Sequence, residues 1–172
     1  MSTGDTSGYQ LLKGCVPVLQ LDSKGRLPLG AKFKQVLGDR AIMFKDEHPC
    51  FNIYPTERFS EYEARLRKLA ETNGTAQLPH YAHGALRDYL REVYSFYAEV
   101  DVDDQCRITV PKYLRDTGLL EGPLTLRSTG YFLEIWRIED LGKYLQEKRT
   151  SEMWGGAEGW PQSPASPPAP LD

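Results

Sequence analysis

Asp22 and Arg26 stand four residues apart in LDSKGRL, residues 21–27, and Asp103 and Arg107 repeat that spacing in VDDQCRI, residues 102–108. An aspartate so placed can accept backbone N–H groups of its own turn and pair with the arginine. The arginine, with Lys24 beside it, can also meet a phosphate or the edge of a guanine. The two readings are compatible, because an aspartate can shape a turn whose arginine works outward. Gly25 suits a turn position with positive φ, and the second copy puts Cys106 there. If the position requires φ > 0, cysteine costs about 1 kcal/mol relative to glycine. A negative φ at Cys106 would instead mean a turn of different shape.

Other constellations offer less. Lys13, Lys32 and Lys34 cluster around the first turn. They read either as ordinary solvated lysines or as phosphate contacts that position the protein. His80 and His83 have a spacing that could hold a metal on a helix, but no cysteine or carboxylate completes a set nearby, so no metal is expected. Asp101, Asp103 and Asp104 lack the central glycine and terminal glutamate of a calcium loop and read as solvated strand-end acids. Cys15, Cys50 and Cys106 are odd in number and widely spaced, so they suggest neither a disulfide framework nor a zinc pattern. No serine, cysteine or histidine arrangement supports nucleophilic catalysis, and no glycine-rich phosphate loop is present. The chain reads as a non-enzyme without cofactor.

Charge is unevenly spread. The 172 residues carry a net charge of −3, with 40% hydrophobic and 26% charged residues. Between Tyr9 and Arg40, six cations (Lys13, Lys24, Arg26, Lys32, Lys34, Arg40) face two acids (Asp22, Asp39), a net of +4. Between Ala98 and Gly118, three cations (Arg107, Lys112, Arg115) face five acids, a net of −2. The sum argues mildly against a generic nucleic-acid binder, but distribution matters more than the sum. No apolar run is long enough to span a membrane, and the polar start MSTGDTSGYQ lacks a signal pattern. A reducing cytoplasm is expected.

The elements that must position these residues come as an internal repeat. LQLDSKGRLPLGAKFKQVLG lies beneath VDVDDQCRITVPKYLRDTGL, so that Leu27 and Leu29 fall on Ile108 and Val110, and Lys34 on Arg115. After a one-residue shift FNIYPTERF falls on LEIWRIEDL, matching Tyr54 with Trp136, both expected in the core. Each unit reads as a short alternating strand, the turn, and a second strand whose alternation turns Arg26 or Arg107 outward. A short helix follows, Ala31 to Leu37 and then Lys112 to Leu119, stopped at Gly38 and Gly118. Pro111 suits the first turn of the second helix. A further strand pair leads to helices near 56–71 and 139–148. Between the units TNGTAQLP reads as a linker, and apolar spacing over Ala82–Val93 predicts a helix. A unit this small cannot close a core alone, whereas two can.

These residues carry a likeness. LDSKGRL…AKF, VDxxxxRITVPKYLR, HPCFNIYP and LEIW resemble the paired D-x-x-x-R signatures of the MraZ family, within the wider AbrB/SpoVT swapped-hairpin group. The likeness runs from about Lys13 to Lys148. It implies an α+β protein with a mainly β core, in which two tandem AbrB-like repeats form one pseudo-symmetric swapped-hairpin β-barrel with peripheral helices. The expected layout is an arm over 1–12, repeats over 13–57 and 98–139, a helical connection over 58–97, a C-terminal helix over 140–154 and a disordered tail over 155–172. The resemblance further implies a transcription regulator of the division and cell-wall gene cluster, associated with the nucleoid. Such proteins bind double-stranded DNA at short promoter repeats as a ring of subunits. Contacts would come from Arg26 and Lys34 in the first unit and from Arg107 and Arg115 in the second. Two departures stand out: Gly30 replaces the usual proline, and Cys106 the usual glycine.

On balance LDSKGRL is expected to be the main DNA-facing turn and VDDQCRI the more structural copy. A protein-interaction module of antitoxin type, using the acidic second unit or the tail, is the alternative.

Overall fold

Hydrophobic alternation sets which side of each strand turns inward. In a computed structural model the structure describes residues 10–70 and 84–150. Its elements are β1 (Cys15–Leu19), β2 (Arg26–Pro28), α1 (Ala31–Leu37), β3 (Arg40–Lys45), β4 (Cys50–Pro55), α2 (Thr56–Ala70), α3 (Gly84–Ser95), β5 (Ala98–Asp101), β6 (Arg107–Thr109), α4 (Lys112–Arg115), β7 (Leu124–Ser128), β8 (Leu133–Arg137) and α5 (Ile138–Thr150). The chain divides into two units, residues 1–138 and 139–172, and the described part of the second is α5 from Glu139 on. The fold is α+β, as expected, and the described strand pairs are antiparallel.

The closed barrel is not what forms. Six strands make an open sheet in the order β1-β7-β8-β4-β3-β5, while β2 and β6 pair only with each other in a separate two-stranded ribbon. The reasons are local. β1 is an edge strand containing Pro17, which has no N–H to give, and its register against β7 breaks between Val16 and Leu19. Beyond β5, the single bridge Val102–Ile108 leads into β6. Three-residue strands are too short to knit the two edges together, so the ribbon lies on the sheet by packing.

That packing is the main core. The inward sides of the ribbon, Leu27 and Ile108, are fully buried and cluster with Leu29, Phe33, Val110 and Leu114 and with sheet residues such as Phe51, Ile53, Leu126 and Ile135. Burying one such side chain is worth about 1.5–3 kcal/mol. A second cluster joins Ile42, Phe44 and Tyr54 of the sheet to Phe59 of α2 and Val93 of α3. Because both sheet faces are covered, β4 is buried at every position. Tyr54 and Trp136 are buried, as the matched strand ends suggested.

Helix α1 has the anticipated limits and ends at Gly38, whose φ is 74° and whose N–H reaches Lys34 O at 2.8 Å. The second short helix is shorter than anticipated. It stops at Arg115, because Thr117 Oγ1 takes the Leu114 carbonyl at 2.7 Å and Gly118 turns to φ 77°. Pro111 caps it rather than entering it. Helix α2 covers Thr56–Ala70 of the anticipated 56–71, and α5 exceeds 139–148 by one residue at its start and two at its end. Residues 151–154 of the C-terminal helix anticipated over 140–154 lie outside the described residues. His80, His83, the linker and the tail lie outside the described residues. Among the described residues no helix is long and apolar enough to cross a membrane.

Candidate nucleic-acid interface

The two turns are built by the same hydrogen bonds. In the first, Asp22 N–H donates to Arg26 O at 3.0 Å and Gly25 N–H to Asp22 O at 2.9 Å. In the second, Asp103 N–H donates to Arg107 O and Cys106 N–H to Asp103 O, both at 2.9 Å. Each aspartate Oδ1 accepts two backbone N–H groups, from Lys24 and Arg26 or from Gln105 and Arg107, all at 2.9 Å. Each Oδ2 takes the arginine Nε, at 2.6 Å from Arg26 and 2.9 Å from Arg107. The short aspartate side chain thus takes over donors that a loop this tight leaves without backbone partners. Asp22 and Asp103 make these bonds with the same atoms in both copies, an identity that the sequence alone does not reveal.

Charge follows geometry. The Arg26 backbone N–H, followed by its side chain, holds the Asp22 carboxyl below the ordinary value of 3.8. The Arg107 side chain leads the same lowering at Asp103. Gly25 has φ 72° and Cys106 has φ 59°, the one described non-glycine residue with positive φ. The cysteine therefore does not give the second turn a different shape.

The ribbon carries both arginines to one surface. Arg26 lies opposite Thr109, and Pro28 opposite Arg107, while Leu27 pairs with Ile108 on the buried side. Residues directly opposite share a face, so Arg26 and Arg107 sit diagonally on the outer face, about 7–8 Å apart at the backbone. They differ in commitment. Asp22 engages Arg26 through Nε, whereas Asp103 engages Arg107 through both Nε and Nη2, the latter at 2.8 Å. Among the described residues no partner occupies the two terminal nitrogens of Arg26.

The remaining cations separate. Lys13, Lys24 and Lys32 are exposed. Lys32 lies over the Phe33 ring at 4.8 Å, and its Nζ is so near Gly14 that a Cβ there would approach to 2.6 Å, which places the Lys13–Gly14 backbone beside α1. Lys34 is half-buried and donates to Asp103 O at 2.8 Å and Val102 O at 3.3 Å. Arg115, also half-buried, donates from Nε to Val110 O at 3.1 Å. Arg40 pairs with Asp101 at 3.3 Å across β3 and β5. The sequence reading missed these partnerships: Lys34 and Arg40 of the basic segment are held by groups of the acidic one, which only the cross-strand register reveals. The free cysteines are exposed at Cys15, half-buried at Cys106 and buried at Cys50. Burial pushes the Cys50 thiol far up. The acids expected to be solvated hold cations of their own fold, Asp101 with Arg40 and Asp103 with Arg107, while Asp104 is exposed within 3.8 Å of Lys34. Among the described residues one group could ligate a metal, Asp46, Glu47 and His48, but Asp46 is engaged in its own turn, accepting from His48 N–H and the Asn52 amide.

Fold and site together define a small α+β protein that presents an arginine-bearing two-stranded ribbon held by paired Asp–Arg turns. Comparison with known proteins gives this class a name. Residues 18–79 match the model of the MraZ protein family, described as antitoxin-like. A transcriptional regulator MraZ of Alkaliphilus metalliredigens is 31% identical over 131 residues, covering 76% of this chain and 85% of its own length. Its counterpart in Desulforamulus reducens is 32% identical over the same shares, and that of Bifidobacterium longum 29% identical over 75% of this chain and 79% of its own. The chain belongs to the MraZ family.

Proposed function

We propose that this chain is a sequence-specific DNA-binding transcription regulator, binding short direct repeats upstream of the division and cell-wall gene cluster as a ring of subunits in the nucleoid. One observation carries the reading: Arg26 and Arg107 share the outer face of a two-stranded ribbon whose other face is anchored in the core. The major groove of DNA admits such a ribbon, and an arginine with two free terminal nitrogens suits a guanine edge. Arg26 retains both, so LDSKGRL is the leading contact and VDDQCRI the supporting one. Lys24, Lys13 and Lys32 are the phosphate contacts that set the pose. Lys34 and Arg115 serve the site from within the fold. Residues 13–57 and 98–139 act as two swapped-hairpin repeats. The pairing of β2 with β6, and the bonds from Leu29 N–H to Cys106 O and from Val110 N–H to Gly25 O, support that reading.

The test is a gel shift with the duplex upstream of the protein's own gene. Arg26→Ala is expected to remove about 1–3 kcal/mol of binding, five- to 150-fold, while leaving the oligomer unchanged in size. Unchanged affinity would sink the site assignment. The antitoxin-like description of the family favours a second reading, a protein-binding module using the acidic repeat. Against it, most of those acids already hold cations of their own fold. Absence of any shift at low salt would turn the choice to it.

A further inference from the structure

Lys34 and Arg115 occupy matching places, each in the last turn of the short helix that follows its own hairpin turn. Each reaches across to the other turn, but they do so differently. Lys34 ends on the carbonyls of Val102 and Asp103, at the start of the second turn. Arg115 lies over the first turn. Its Nε bonds Val110 O at 3.1 Å, and Val110 N–H in turn bonds Gly25 O at 2.9 Å. The end of the side chain is pressed against the Gly25 α-carbon: a Cβ at Gly25 would stand 2.8 Å from Nε, 2.9 Å from Cζ and 3.0 Å from Cδ.

Those distances leave no room for a side chain at position 25 while Arg115 keeps its place. Positive φ alone does not explain the glycine, because Cys106 holds φ 59° in the matching place with a side chain present. One difference between the turns that bears on this position is the cation laid on each: Lys34 ends on carbonyls of the second, whereas Arg115 lies on the Gly25 α-carbon of the first. We infer that Arg115 is a positioning residue which clamps the first turn, that glycine at 25 is the space the clamp needs, and that Arg115 acts on DNA through Arg26 without touching it. The last step rests on the proposed role of Arg26. The geometry is suited to the task. Gly25 immediately precedes Arg26, so fixing the Gly25 peptide fixes the direction in which Arg26 leaves the turn. A guanidinium is planar and directs its Nε–H along one line, so lysine does not replace it here.

The experiment uses the full chain and two readouts. Amide hydrogen exchange without DNA reports the turn, with β4 amides as the control for an intact fold. Affinity for the upstream duplex over a salt series reports the interface. Arg115→Ala is expected to speed exchange at Gly25 and Arg26 at least tenfold and to weaken binding at least fivefold, with the slope of log affinity against log salt unchanged. Arg115→Lys behaves like Arg115→Ala. Gly25→Ala expels the guanidinium and gives the same two effects, and adding Arg115→Ala to it changes neither further. A slope that drops by about one in Arg115→Ala would show that Arg115 itself meets a phosphate and would overturn the inference. So would unchanged exchange in the turn. If Arg26→Ala binds as the parent does, the DNA reading falls and the link from Arg115 to DNA with it, whereas the exchange arm still decides the clamp.

Discussion

Cys106 holds the second turn in the left-handed conformation that Gly25 gives the first. Its sequence position raised a conditional question, whether the second turn keeps positive φ, and its φ of 59° shows that it does. An L-residue in that region carries strain that glycine lacks. Cys106→Gly is therefore expected to stabilise the protein by about 1 kcal/mol, part of it offset by the greater freedom of glycine in the unfolded chain. A denaturant midpoint that falls on substitution would show that the thiol makes compensating contacts. The aspartates of the same turns set a pH window. Their folded values lie below the ordinary 3.8. A lowered value means stability fully present above about pH 4 and lost as pH falls through the folded value. Carboxyl titration by NMR is expected to place Asp22 and Asp103 below 3.8, and the stability gap between the parent and Asp22→Asn to shrink under more acid conditions. A midpoint above 3.8 for Asp22 would contradict the bonding pattern of its turn.

At the scale of elements, the ribbon is the part on which the site depends, and its two faces have separate duties. Ile108 is fully buried while Thr109, next to it, is exposed. Ile108→Ala should cost about 2–5 kcal/mol in thermal or denaturant unfolding. Thr109→Ala should change stability by less than about 0.5 kcal/mol. Equal losses would mean that the face assignment is wrong. Alternation made these faces legible in advance, and the apolar spacing and glycine stop made α1 legible to the residue. The shortening of α4 was not legible, because it depends on the hydroxyl of Thr117 choosing the Leu114 carbonyl. Nor was the partner of each strand. β2 and β6 are three residues long and stand about 80 residues apart in sequence, and nothing in RLP or RIT names the other. The barrel expectation failed for the same reason: strand patterns report which side is buried, whereas closure depends on whether the two edge strands meet.

At the scale of the whole molecule, the proposed function asks a chain of net charge −3 to hold a polyanion with the few cations around its ribbon. Of the six in the basic segment, Lys34 and Arg40 are held by carbonyls and carboxylates of the acidic segment. That leaves Lys13, Lys24, Arg26 and Lys32, joined on the ribbon by Arg107. Each phosphate neutralised contributes about −0.9 to the slope of log affinity against log salt, so one subunit with five cations reaches at most about −4.5. In the proposed ring the same small set recurs, and contacts after the first form at high effective concentration. Duplexes with one and with two direct repeats are then expected to differ in kind. The single repeat should bind weakly with a slope no steeper than about −4.5, and the double repeat should exceed that limit, because phosphates are neutralised by more than one subunit. Equal slopes on the two duplexes would remove the tandem reading and leave a single subunit to account for the whole affinity, which the pairing of Lys34 and Arg40 makes difficult.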